Sequence, residues 1–225
     1  PILGPVPRPP VAPRLVPRRL IGLREIRLPL APFVDRLHRG HPRLAPQGRL
    51  ALASRDLLAD QSAEFGRIAH LRTAVTWHLV GHLQSNKARL AADIFDIIHS
   101  VDSVKLAERL SKTIKGTLPI LLQINVAGEV TKSGFAIAEV PGVLEEVRRL
   151  PRLQVVGLMT IAPQVADPEQ VRPVFRRLRQ LRDELGLKHL SMGMTDDFEV
   201  AIEEGATMVR IGRAIFGERP QGGSA

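Results

Sequence analysis

The chain has 225 residues, 44% of them hydrophobic and 24% charged, and it contains no cysteine. That mix excludes fibrous and wholly disordered classes, and the missing cysteine excludes disulfide scaffolds, thiolate zinc sites and cysteine nucleophiles. The net charge of +9 is unevenly placed: residues 1–76 hold 13 arginines, no lysine and 5 acidic residues, whereas 19 basic residues face 18 acidic ones from Trp77 onward. No apolar run approaches the roughly 20 residues that span a bilayer. Prolines and arginines break up the first segment, unlike a signal peptide, so a soluble cytoplasmic protein is expected.

Taken in chain order, residues 1–49 show no sustained periodicity. Eleven of the 18 prolines fall within the first 50 residues, each removing an N–H donor and restricting its predecessor. An extended basic leader is expected there. Between Leu50 and Leu71 the apolar residues Leu50, Leu57, Leu58, Phe65, Ile68 and Leu71 can share one helical face. From Trp77 the pattern becomes strand–helix alternation. Strands are predicted at Trp77–Val80, Ile97–Val101, Ile120–Val126, Val155–Ile161, Leu190–Met194 and Met208–Ile211. Helices are predicted at Leu83–Ile94, Val104–Ile114, Val140–Leu150, Pro168–Leu185 and Phe198–Glu204. Gly186 and Gly205 close the last two in the manner of C-cap glycines. Gln221–Ala225 reads as a loose tail.

Six strands alternating with helices predict a parallel sheet covered by helices, open or closed into a barrel. In both architectures ligands sit at the carboxyl ends of the strands. Three segments fall there. In Leu190–Asp197 a buried run gives way to a glycine turn, with Thr195 at the expected start of a helix. A glycine and a helix N-terminus suit a phosphate; the plainer alternative is Thr195 as an N-cap with nothing bound. A second glycine turn, Val209–Ala214, lies one strand–helix–strand unit further on, so the two turns can sit side by side. Arg210 ends an apolar strand and calls for a carboxylate, a phosphate or a ring nitrogen. Asp196, Asp197 and Glu203 are its candidate ion-pair partners. In the third segment, Trp77–Lys87, His78 and His82 lack a third nearby metal ligand, and Gln84, Ser85 and Asn86 read as turn residues. Lys132 follows a strong strand in a loop and reads as solvated.

Four strings stand out: WHLVGHLQSNKAR (77–89), INVAGEVTKSGF (124–135), GLMTIAP (157–163) and LSMGMTDDFEVAIEEGATMVRIGRAIFGER (190–219). Their order and spacing resemble the pyridoxal phosphate homeostasis proteins, small relatives of the alanine racemase N-terminal barrel. The resemblance covers about residues 75–219. It implies a modified (β/α)8 TIM-type barrel over 50–219, between the 1–49 leader and the 220–225 tail, with the first two strand–helix units degenerate or missing. It also implies a pyridoxal 5′-phosphate (PLP) site. Ser191, Gly193, Met194 and Thr195 would belong to its phosphate cup, completed by Gly212 and Arg213. Arg210 would face the pyridine nitrogen and weaken the ring as an electron sink. Met159 and His78 would line the pocket. The implied role is a carrier or regulator of the cofactor, serving PLP-dependent apoenzymes, rather than a catalyst; a monomer is expected.

One departure accompanies the match. The family holds the PLP aldehyde on a lysine in a first-strand motif like V-S-K-T, followed by F-G-E-N. Neither string is present, and the first lysine in the chain is Lys87. Binding without a Schiff base, and weakened, is therefore expected; Lys87 and Lys132 are the nearest alternative amines. Either a replaced segment or a stretch translated from another frame of a GC-rich gene explains the surge of arginine and proline, and the composition favours the second. Six strands cannot close an eight-stranded barrel, so Leu20–Leu30 and the region around Leu50 are the candidate donors of the rest. A marginally stable product is expected. Two other readings fare worse. A racemase-like enzyme needs an acid–base partner, commonly tyrosine, and the chain has none. Non-specific nucleic-acid binding by the leader would lack stacking residues, with only Phe33 and Phe65 before Trp77.

Overall fold

The computed structural model describes residues 51–53, 76–129 and 131–213. Seven parallel strands form one sheet in sequence order: β1 (Ala51–Ala53), β2 (Thr76–Leu79), β3 (Ile97–Val101), β4 (Leu118–Gln123), β5 (Leu153–Met159), β6 (His189–Met194) and β7 (Met208–Arg210). Among the described residues five helices connect β2 to β7: α1 (Ala88–Ile94), α2 (Val104–Thr113), α3 (Val140–Arg148), α4 (Arg172–Glu184) and α5 (Phe198–Glu203). Sequential order with every neighbour parallel is the arrangement of a (β/α)8-type barrel. Among the described residues the sheet runs from β1 to β7 without closing.

The two faces of the sheet differ in chemistry. Trp77, Leu79, Ile98, Ile120, Leu122, Leu158, Leu190 and Met192 pack with the helices in one core. Side chains alternate along a strand, so their neighbours His78, His99, Leu121, Gln123, Met159 and Ser191 point to the inner face. That face is buried and polar toward its carboxyl end, where His78, His99, Gln123 and Ser191 all lie.

The six predicted strands are present, Ile97–Val101 with both ends unmoved and the others with boundaries shifted by at most three residues. The β4 strand stops at Gln123 rather than Val126 because Asn125 starts a loop. Its side-chain nitrogen donates to the Glu129 and Lys132 carbonyls, and its oxygen accepts from the Glu129 N–H. Two helices begin later than expected. A single 3-10 turn, Ser85–Lys87, precedes α1, and another, Pro168–Val171, precedes α4. The expected helix over Leu50–Leu71 is corrected at its start. Residues 51–53 pair in parallel with Thr76, Trp77 and His78, so this region supplies one of the strands that the six predicted ones lack for closure. The rest of that helix, the leader and the tail lie outside the described residues.

One feature of the helical layer was not anticipated. Glu204, just past α5, is buried and receives three arginines from α4. Arg172 and Arg176 reach Oε1 at 3.2 and 3.0 Å, and Arg179 reaches Oε2 at 3.3 Å. Burial alone would raise its carboxyl, but hydrogen bonds from Arg176 and Arg172 hold it below the usual range. Removing one partner of a buried ion pair costs about 3–5 kcal/mol. Arg176 and Arg179 are partly exposed and can rehydrate. Glu204→Gln should therefore cost near the lower end, about 3 kcal/mol, read as a fall in the urea midpoint at unchanged slope. A loss under about 1 kcal/mol would mean that the cluster is only a solvated surface network.

Candidate functional site

A chain of polar groups runs along the inner face from the middle of β3 and β6 to the carboxyl ends of β2, β5 and β7. His78 Nδ1 lies 2.7 Å from His99 Nε2. His99 Nδ1 lies 2.8 Å from Ser191 Oγ. Arg210 donates from Nη1 to the same Ser191 Oγ at 2.9 Å and from Nη2 to the Thr160 carbonyl at 2.8 Å. Thr160 in turn donates its hydroxyl to the Ile124 carbonyl, tying the end of β5 to that of β4. Met159 is fully buried and stands in register with Ser191.

The expected ion pairs of Arg210 are not the ones made. Asp196 is taken by Arg213, Glu203 by Arg172, and Asp197 Oδ1 accepts the Met194 N–H at 2.6 Å. Arg210 instead rests on two neutral oxygens. Burial pushes its guanidinium down to about 10, with the nearby charge of Asp197 pulling the other way. Among the described residues no carboxylate is hydrogen-bonded to Arg210, and a cation so placed suits an anionic or ring-nitrogen acceptor brought by a ligand.

The two glycine turns are adjacent, as their spacing predicted. Met194 and Arg210 are register partners, and the Arg213–Asp196 ion pair joins the turn after β6 to the one after β7. Thr195 does not cap a helix: α5 begins at Phe198, with Asp197 as its N-cap. The reason is local, since Asp197 bends back to Met194 and the chain turns once more before the helix starts. Gly193 has φ of +91°, and a Cβ there would stand 2.6 Å from the Ala201 Cβ and 3.1 Å from the Phe198 Cα. The turn is therefore open only to glycine. Met194 is 46% exposed beside Thr195, and Gly212 and Arg213 are exposed on the neighbouring turn.

Of the sequence-nominated residues, Ser191, Arg210 and His78 thus join one connected cluster, with Met159 beside it. Gly193, Met194, Thr195, Gly212 and Arg213 form the neighbouring rim. The two alternative lysines take other positions. Lys132 pairs with Glu129 at 2.7 Å, and Lys87 ends the 3-10 turn before α1. His82 pairs with Asp102 at 3.1 Å. Sequence reasoning missed His99, which links His78 to Ser191; the run Ile97–Val101 read as a plain buried strand. The interruption of that run by one imidazole was the available signal.

Three comparisons bear on this geometry. The family model described as alanine racemase, N-terminal domain, matches residues 45–220, starting well before the first matching string at Trp77. A pyridoxal phosphate homeostasis protein of Aquifex aeolicus is 48% identical over 152 residues, covering 64% of this chain and 67% of the relative. One of Pseudomonas aeruginosa is 47% identical over 156 residues, covering 67% and 68%. PipY of Synechococcus elongatus, solved with PLP bound, superimposes with a TM-score of 0.66 at 32% identity, covering 81% of this chain and 99% of that one.

Proposed function

The chain belongs to the alanine racemase N-terminal domain family, among relatives named pyridoxal phosphate homeostasis proteins, and from that premise we propose that it binds PLP and serves vitamin B6 homeostasis. Arg210 is the observation that carries this reading. It is a cation held at the inner carboxyl rim on neutral oxygens, next to two adjacent glycine turns. In this reading Arg210 faces the pyridine nitrogen, and Ser191, Gly193, Met194, Thr195, Gly212 and Arg213 surround the phosphate. Met159 and His78 bound the ring. Since the Met194 N–H is already taken by Asp197, a phosphate draws on the other N–H groups of the rim or displaces that carboxylate.

Arg210 and the two glycine turns support this reading for the ring and phosphate ends, whereas the aldehyde end has no matching lysine motif. Residues 1–86 contain no lysine. Lys132 is occupied by Glu129. Binding is accordingly non-covalent, and the protein is a carrier or regulator rather than a catalyst. PLP-dependent apoenzymes are the recipient class, and the barrel acts as a monomer in the cytoplasm. Among the described residues no helix is long and apolar enough to cross a membrane.

Equilibrium dialysis against PLP, followed by borohydride and desalting, tests this. Saturable binding that inorganic phosphate competes away, with no chromophore fixed by borohydride, is the expected result. No saturable binding would remove the proposal. A fixed adduct would overturn its non-covalent part, and peptide mapping would then decide between Lys87 and Lys132.

A further inference from the structure

The cluster on the inner face takes one direction when the Ser191 hydroxyl donates within it. A guanidinium has only donors, so Arg210 must donate to Ser191 Oγ. The serine hydroxyl has one proton, and its remaining neighbour in the chain is His99 Nδ1. Given to that nitrogen, the proton leaves neutral His99 with its own N–H on Nε2. That N–H points at His78 Nδ1, which must then accept, placing the His78 proton on Nε2. In this setting each ring has one tautomer, and the order of donors runs Ser191, His99, His78.

We propose that Ser191, His99 and His78 form a proton relay leading from the inner-face site to His78, with His99 as the residue that positions the Ser191 hydroxyl. An incoming proton binds Ser191 Oγ as the original hydroxyl proton passes to His99 Nδ1. The His99 Nε2 proton passes to His78 Nδ1. One proton is taken up in total, three bonds to hydrogen form as two break, and the positive charge ends on His78. Ser191 keeps a hydroxyl, now free to donate into the site, because His99 Nδ1–H has become a donor toward it. The relay therefore has two settings of the Ser191 hydroxyl, selected by the charge of His78.

The surroundings decide where that charge rests. His99 faces His78 on β2, Arg210 on β7 and His189 on β6, all cationic or able to become so. Burial acts first on both rings, but His78 also faces Asp96, the carboxylate just before β3. Asp96 Oδ2 lies 2.8 Å from the Trp77 N, beside His78 in the chain. His78 is the member of the pair with an acidic neighbour, and His99 is the one ringed by positive groups.

Nitrogen-15 NMR of the full chain without cofactor reads the tautomers directly, so this test is independent of PLP binding. At pH 7.5 both rings should carry their proton on Nε2, with both Nδ1 nitrogens in the unprotonated range. As pH falls and His78 charges, His99 should switch to the Nδ1–H tautomer while remaining neutral. His78→Phe should abolish that switch and leave His99 as Nε2–H. His99 found as Nδ1–H at pH 7.5, or unchanged while His78 titrates in the unsubstituted protein, would overturn the relay even if the variant failed to fold.

Discussion

Gly157→Ala should destabilise the protein by about 3 kcal/mol or more, at the upper end of the range for overpacking. Gly157 is the register partner of Leu121 on β4 and His189 on β6, so it lies in the interior of the sheet. A Cβ added there would stand 2.7 Å from the His189 carbonyl carbon and 2.8 Å from its Cβ. The obstacle is the backbone of a paired strand, which cannot swing aside as a side-chain end can. Relief requires β5 and β6 to separate. Ser191 lies two residues beyond His189, so the displacement carries directly into the hydrogen bonds that hold Arg210. Urea denaturation should show the lower midpoint, with Gly142→Ala as a control. No atom lies within 4 Å of the position a Cβ would take at Gly142, and alanine is the better helix former. A Gly157→Ala variant within about 1 kcal/mol of the parent would show that the two strands accommodate a methyl group, which close packing does not allow.

That glycine also marks the boundary of what the sequence made readable. Its string, GLMTIAP, was visible as part of a family resemblance, and the strand around it was visible from its apolar run. Nothing in the run said that Gly157 is needed because the next strand passes so close. Local periodicity reports which face a residue takes, and so the strands from Trp77 onward and their helices were legible to within a few residues. It does not report distance across the sheet. His99 shows the same limit more sharply: its partners are 21 positions earlier and 92 positions later, so no window of sequence contains them. Arg210 was legible as a residue in need of a partner. The carboxylates near it in sequence were the natural candidates, but each was engaged elsewhere, two by arginines and one by a backbone N–H. Glu204 escaped notice for the opposite reason. An acidic residue near a helix end usually reads as solvated, and only the docking of α5 on α4 buries it among arginines. The start of the sheet was only half legible: the need for further strands pointed to the region around Leu50, while the leucine spacing there favours a helix. Pairing with β2 overrides that local preference.

Burial of the histidine pair should also give the protein an unusually early acid sensitivity. Burial, reinforced by the charges of His78, Arg210 and His189, lowers His99 from its ordinary 6.5 to about 3. His78 is lowered too, by burial, with Asp96 partly opposing. A lowered histidine binds its proton in the unfolded chain before it does so in the folded one. Stability is therefore complete above pH 6.5 and falls as pH drops through that value, continuing until the folded group itself titrates near 3. For His99 alone the slope is about 1.4 kcal/mol per pH unit, so the loss reaches about 2 kcal/mol by pH 5 and about 5 kcal/mol at the bottom of the window. Glu204 adds a further loss, but only at lower pH where carboxylates protonate. The two contributions are thus separated on the pH axis. Urea midpoints measured from pH 8 to pH 4.5 should decline from about 6.5 downward, and His99→Gln should flatten that decline while lowering the plateau, because the His78 contact is weakened. A midpoint that stayed level down to pH 5 in the unsubstituted protein would mean that His99 takes up a proton in the folded state near its ordinary value. The pair would then be a charged, solvated contact rather than the dry neutral one on which the direction of the inner-face hydrogen bonds depends.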